Sequence, residues 1–281
     1  MKLQRGNDIF LKLKVGGLRS AVRNKKQKLL VGLAALTLMD IAAAEAADLP
    51  VKAPPPVPVI AYNWSGFYLG AHAGYRWAKA DFSGPGYDFD PGVGTLSFPS
   101  RSEGYRLNGG IIGAHAGYNF MVTPTILAGI EGDWTWGSST ENAAGQFILF
   151  ANDGLLFASE AKLTWQATIR GRIGVVNGPW LFYGTGGVAF AHVNWTDNSA
   201  FIFAGNTISA SSSDVGKTLT GFAVGAGIEY MWTSNWIARV EYLYENFGDV
   251  NVPFGLGPQT GTLDLKDVSK VRVGISYKFG R

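Results

Sequence analysis

The sequence predicts an all-β chain folded as an eight-stranded antiparallel transmembrane β-barrel. Three observations carry that prediction. From Ser65 onward, eight segments alternate apolar with polar or small residues at period two, as a strand with two unlike faces does. The links between them are short and long in strict alternation, the pattern of a barrel that crosses a bilayer. Large aromatic residues gather near the segment ends, where the interfaces of a bilayer would lie. No later segment holds 18 consecutive apolar residues, so no membrane-spanning helix competes.

Composition points the same way. Charged residues make up 16% of the chain, against about 25% in soluble domains, while the chain holds 38 glycines and 13% aromatic residues. There is no cysteine, which excludes a disulfide framework, a thiolate metal site and a cysteine nucleophile. The net charge of +3 belongs to the N-terminus. Residues 1–46 hold nine of the 24 Lys and Arg and three of the 21 Asp and Glu, so the remainder carries 15 bases and 18 acids, a net charge of −3. A nucleic-acid partner is therefore not expected.

Residues 1–46 read as a signal peptide with a long n-region. Arg23, Lys25, Lys26 and Lys28 are its positive part, residues 29–39 (LLVGLAALTLM) its apolar part, and Ala44-Glu45-Ala46 its cleavage site. The apolar run is shorter than the roughly 20 residues a spanning helix needs. Residues 47–63 read as a Pro-rich periplasmic spacer, because five prolines in residues 48–60 exclude a helix or a central strand. Residues 64–281 are the expected barrel.

The eight expected strands are 66–80, 104–120, 125–137, 161–176, 180–195, 218–232, 236–247 and 267–279. In the first, Phe67, Leu69, Ala71, Ala73, Tyr75 and Trp77 alternate with Tyr68, Gly70, His72, Gly74 and Arg76. The second turns Ile112, Ala114, Ala116, Tyr118 and Phe120 one way, and the third opposes Ala128, Ile130, Trp134 and Trp136 to Glu131 and Asp133. The fourth sets Leu163, Trp165, Ala167, Ile169, Ile173 and Val175 against Thr164, Gln166, Thr168, Arg170 and Arg172. The faces of the fifth do not rank. The sixth sets Phe222, Val224, Ala226, Ile228, Tyr230 and Trp232 against glycines and Glu229. The seventh sets Trp236, Ala238, Val240, Tyr242 and Tyr244 against Arg239 and Glu241. The eighth sets Val271, Val273, Ile275, Tyr277 and Phe279 against Lys270, Arg272, Gly274 and Lys278. Residues 121–124, 177–179 and 233–235 form three short periplasmic turns. The links 81–103, 138–160, 196–217 and 248–266 form four long extracellular loops, rich in Gly, Ser, Asn and Asp.

Charges do not face lipid cheaply, so the alternation sends Arg76, Glu131, Asp133, Arg170, Arg172, Glu229, Arg239, Glu241 and Arg272 into the lumen as a charge network. Two readings follow: a structural ion-pair network filling the bore, or a narrow ion path. The first fits eight strands, whose interior side chains just fill. Trp136, Trp165, Trp180, Trp232, Trp236, Tyr242, Tyr277 and Phe279 are the expected interfacial aromatics. His72 and His115 share the inward parity and lie in two copies of one motif, GAHAGY. A metal or haem site there is the alternative reading, but two histidines without a nearby acid or cysteine make a thin case for it, and no metal or cofactor is expected. No G-x-S-x-G elbow or GxxxxGK[ST] loop occurs, which argues against catalysis. The apolar stretches 147–150, 155–157 and 201–203 either mark a loop surface for a host or cell-surface ligand or extend the strands.

Several motifs together resemble the outer-membrane immunogenic protein, or opacity-type porin, family of alpha-proteobacteria. They are Ala47-Asp48-Leu49-Pro50, then Trp64-Ser65-Gly66-Phe67-Tyr68-Leu69-Gly70, Arg170-Gly171-Arg172-Ile173-Gly174, and 181–187 (LFYGTGG). Residues 224–230 (VGAGIEY), 239–244 (RVEYLY) and 271–279 (VRVGISYKF) complete the set. The resemblance implies an eight-stranded barrel with antigenic surface loops, placed in the outer membrane of a Gram-negative bacterium. Its implied partners are outer-membrane lipid, lipopolysaccharide and the barrel-assembly machinery. Chains of that family commonly end on an aromatic residue, whereas Gly280 and Arg281 follow Phe279 here, a departure that bears on insertion and not on fold. The function expected is a structural and surface-antigen role with at most narrow ion permeation. A loop-mediated adhesin or receptor is the alternative, and a barrel-embedded lipid-modifying enzyme a remote one.

Overall fold

The computed structural model describes residues 62–92, 94–150 and 153–280. The expected signal peptide, and all but the last two residues of the expected spacer, lie outside them.

The chain forms twelve β-segments. They are β1 (Gly66–Gly84), β2 (Tyr87–Phe89), β3 (Leu96–Phe98), β4 (Arg101–Arg106), β5 (Gly109–Met121), β6 (Ile126–Phe150), β7 (Asp153–Asn177), β8 (Trp180–Phe203), β9 (Asn206–Met231), β10 (Trp236–Asn246), β11 (Gly248–Pro253) and β12 (Thr260–Lys278). Every pairing is antiparallel, the long strands β1, β5, β6, β7, β8, β9, β10 and β12 pair each with the next, and β12 returns to pair with β1. β4 continues the line of β5 along β1, and β11 continues β10 along β12. The result is an eight-stranded barrel without a free edge through its middle, and β2 and β3 make a small separate hairpin.

Closure follows from parity. Residues such as Ile112, Ile130, Ile169, Ile173, Val224, Val240 and Val273 are exposed on the outside, and the charged residues of the same strands are buried inside. The outer apolar band is bounded at both ends by aromatic residues. Phe222 on β9 and Trp232 just past its end are ten residues apart, about 33 Å along a strand and about 25 Å along the axis at ~40° tilt, the height of a membrane band. At the tight-turn end, Trp236 packs edge-on to Tyr277 at 5.2 Å, Tyr277 to Phe279 at 5.1 Å, and Trp180 against Tyr230 at 4.6 Å. At the other end, Trp134 stacks on Trp165 at 4.4 Å and Trp165 on His192 at 5.5 Å. Trp136 is paired with Trp165 across strands, and Tyr242 and Trp232 also point outward.

The structure corrects two expectations from the sequence. The links 138–160 and 196–217 are not irregular loops. β6 to β9 run 25, 25, 24 and 26 residues, more than twice what a bilayer needs, so these links are hairpins continuing far beyond the aromatic belt. The β8–β9 hairpin closes on two residues, Ala204 and Gly205, at φ 50° and 72°, the conformation of a type I′ turn. Leu163 does not share the outward face of Trp165. The register shifts between these two residues, and that bulge sends Leu163 into the interior, fully buried.

Candidate functional site: the filled lumen

The interior is layered. At the tight-turn end Trp64, Leu127, Val176, Leu181, Met231 and Ile237 form an apolar floor. Trp64 is drawn in from the segment before β1, and its indole N–H donates to the Gly178 carbonyl at 3.3 Å.

Above that floor sits the charged layer. Glu131 on β6 receives Arg170 at 2.6 Å, Arg239 at 2.6 Å and Arg172 at 3.3 Å. Glu229 on β9 receives Arg239 at 2.6 Å and Arg172 at 2.9 Å. Asp133 receives Arg272 at 2.9 Å and Arg170 at 3.0 Å, and Glu241 receives Arg272 at 2.5 Å and Arg170 at 3.1 Å. Four arginines thus meet four carboxylates, and all eight side chains are almost wholly withdrawn from solvent. A lone buried charge costs several kcal/mol, and in a matched set the mutual attraction of the partners offsets that cost. Two tyrosines complete the layer. The Tyr68 hydroxyl donates to Glu131 at 2.6 Å and that of Tyr183 to Glu241 at 2.8 Å. The Arg172 guanidinium lies 4.1 Å over the Tyr183 ring. Glycine makes the room: a Cβ at Gly117 would collide with the Tyr68 ring, and one at Gly227 with that of Tyr183.

Next comes the histidine pair. β1 and β5 are registered so that His72 lies opposite Gly113 and His115 opposite Gly70. The two GAHAGY copies run antiparallel, and the glycine of each leaves the space that the imidazole of the other fills. The rings stack at 5.5 Å with Nδ1 atoms 3.3 Å apart. Thr135 and Ser276 meet the outer nitrogens at 3.0 and 2.7 Å. Among the described residues no group of three His, Cys, Asp or Glu side chains converges as a metal site.

Arg76 stands apart from the network the sequence assigned it to. Its guanidinium donates to Gln166, Ser139 and the carbonyls of Gly137 and Leu163, and it forms no ion pair among the described residues. Gln166 passes the contact on to Glu245 at 2.8 Å, which pairs with Lys270 at 2.7 Å. Sequence reasoning left Glu245 out of the network. The signal was available, because Glu245 has the parity of Glu241 and Lys270 that of Arg272.

Beyond this level the bore is packed with apolar side chains, among them Phe82, Tyr105, Leu107, Leu163, Trp195 and Leu265. Phe82 stacks on Trp195 at 4.8 Å and meets Phe254 edge-on at 5.3 Å.

An apolar outer band between two aromatic belts, around an ion-paired interior, defines an integral β-barrel of the outer-membrane class. The chain belongs to the family of the outer membrane protein beta-barrel domain, whose model matches residues 31–279, and it is an outer-membrane protein. The 31 kDa outer-membrane immunogenic protein of Brucella melitensis is 34% identical over 252 residues, covering 88% of this chain and 98% of the relative. The 25 kDa outer-membrane immunogenic protein of Brucella abortus is 31% identical over 258 residues, covering 90% and 98%. The 22 kDa outer membrane protein of Rhizobium leguminosarum is 28% identical over 217 residues, covering 77% and 79%.

Proposed function

We propose that the protein is a closed structural barrel and surface antigen that passes nothing larger than small ions. One observation carries this reading: a neutral layer of four arginines and four carboxylates fills the bore between an apolar floor and an apolar upper core. Eight strands leave little free bore to begin with. In this reading residues 1–46 are a signal peptide removed on export and residues 47–63 a periplasmic spacer. The tight turns lie in the periplasm and the long hairpins outside, among lipopolysaccharide, after insertion by the barrel-assembly machinery. The protein is not an enzyme in this reading. Ser276 meets His115 at 2.7 Å as a hydrolase dyad would, but both are buried at bilayer depth between the filled layers, out of reach of any substrate. Liposome swelling by the refolded protein tests the proposal. Exclusion of arabinose, with only small ionic currents in a planar bilayer, is the expected result, and sugar entry at porin-like rates would overturn it.

A second reading, adhesion, has its own support. Ile148, Leu156, Phe203 and Ile208 are exposed at or near the tips of the two long hairpins. Binding of whole cells to a host-cell surface, compared between the wild type and the pair Ile148→Ser and Leu156→Ser, tests it.

A further inference from the structure

The outer end of the barrel holds a cavity that a closed structural role does not use. It has a volume of about 150 Å³. Phe98, Phe147, Leu155, Phe157 and Phe254 wall it, beside Arg101. The lining residues Phe98, Leu155 and Phe254 are buried, whereas Pro99, Ser100 and Gln146 are exposed at its rim. Three separate parts of the chain converge on it: the β2–β3 hairpin, the β6–β7 hairpin and the connection after β11. Hydrogen bonds hold the last of these in place, from the Leu256 N–H to the Tyr87 hydroxyl at 3.2 Å and from the Gly255 N–H to Asp197 at 3.0 Å.

The chemistry of the walls selects the occupant. Protein interiors are close-packed, and an apolar void of this volume is the size that admits a benzene ring. The only cation among the described residues that line the site is already engaged. Arg101 pairs with Glu103 at 2.7 Å and Asp197 at 2.8 Å, and its guanidinium lies 4.3, 4.9 and 5.5 Å from the rings of Phe157, Phe82 and Phe254. An anionic ligand finds no free positive partner at Arg101, whose charge Glu103 and Asp197 together more than balance. A cationic ligand competes with Arg101 for the same ring faces and is repelled by it. The remaining aromatic surface is open to a neutral ring, which it can meet edge-on, as Phe98 already meets Phe147 at 6.1 Å.

We propose that this cavity is a binding site for a small, uncharged, single-ring aromatic compound arriving from outside the cell. The site is independent of whether the lumen below it conducts.

The test uses the full mature chain in lipid nanodiscs and three fluorinated probes of one ring size: 4-fluorophenol, 4-fluorobenzoate and 4-fluorobenzylammonium. Binding is read by ¹⁹F NMR against empty nanodiscs, which separates a saturable site from partition into lipid. Saturable one-to-one binding of 4-fluorophenol is expected, at least about tenfold tighter than either charged probe. Leu155→Trp, which fills the cavity from within, and Ser100→Trp, which blocks its rim, should each weaken that binding by about tenfold. The amide resonances of Gly255 and Phe147 should move on titration in the wild type. Non-saturable uptake of the phenol, equal or better binding of a charged probe, or binding unchanged in both variants while the barrel remains folded would each overturn the proposal.

Discussion

The Nδ1 atoms of His72 and His115 approach to 3.3 Å, close enough for one imidazole to donate to the other. The surroundings decide which. Asp133 is a carboxylate acceptor, so the Thr135 hydroxyl donates to it at 3.3 Å and must itself accept from His72 Nε2–H. His72 Nδ1 then accepts from His115 Nδ1–H, and His115 Nε2 accepts from the Ser276 hydroxyl. The Arg272 guanidinium, 3.4 Å from His72 Nε2 and able only to donate, favours the opposite tautomer at that nitrogen, but its bonds to Asp133 and Glu241 are shorter, at 2.9 and 2.5 Å, and the Thr135 contact at 3.0 Å outweighs it. The expected outcome is one imidazole protonated at Nε2 (His72) and one at Nδ1 (His115). Imidazole ¹⁵N shifts check it, and two Nε2-protonated rings would remove the bond between them.

The reciprocal packing beneath that bond is also testable. A Cβ on Gly113 meets the His72 ring and the Trp134 carbonyl. Gly113→Ala should destabilise the barrel by about 1–3 kcal/mol, as overpacking does. Truncating His72 to Ala in the same chain relieves the imidazole share, so a double-mutant cycle should show coupling of at least about 0.5 kcal/mol. Additive costs would mean that only the backbone clash matters.

Glu131 is the hub of the charged layer, with Arg170, Arg172, Arg239 and Tyr68 upon it and Arg272 at 3.8 Å. Glu131→Ala strands those cations and should cost about 3–5 kcal/mol in urea-dependent folding into vesicles. In a water-filled lumen, screening would bring the cost down to about 0–1 kcal/mol. The measurement therefore distinguishes a plugged barrel from a wet one without recourse to conductance.

How much of this was legible in the sequence follows from where water and lipid act on the chain. Between the belts, lipid outside and charge inside impose alternation, so the inward parity of Arg170, Arg172, Glu229 and Arg239 could be read residue by residue. The β8 strand did not rank because both of its faces are apolar or small. Leu181 and Ala189 belong to the filled interior and Phe182 and Val188 to the lipid face. A bulge is invisible to a period count, which misplaced Leu163. Beyond the outer belt the hairpins carry Ser, Asn and Gly on faces wetted by solvent, so strands there carry the composition of loops. The Arg101–Asp197 pair joins residues 96 positions apart, a separation no local pattern encodes.

Ala226 lies on the outward face midway between the belts of β9, flanked by Val224 and Ile228. Ala226→Arg should cost about 2–4 kcal/mol at the bilayer midplane. A cost near zero would place that face in contact with protein or water.

Ala204 occupies a left-handed turn position at φ 50°, which an alanine adopts at a cost of roughly 1–2 kcal/mol. Ala204→Asn, giving the Asn-Gly pair that type I′ turns favour, should stabilise the β8–β9 hairpin by about 0.5–1 kcal/mol. Slower amide exchange at Phe203 and Asn206 is the readout, and unchanged or faster exchange would count against the turn assignment.

The charged layer is also written into the order in which the barrel can be built. Glu131 stands directly opposite Arg170 on β7, Glu229 opposite Arg239 on β10, and Glu241 opposite Arg272 on β12. Three of the four acids thus meet a base on the adjacent barrel strand, before any contact across the bore exists, while Asp133 stands opposite Thr168. A nascent sheet growing one hairpin at a time neutralises its charges as it grows. The β1–β12 seam is different: it sets Arg76 opposite Lys270, and that like pair is met only by Gln166 and Glu245 reaching in from β7 and β10.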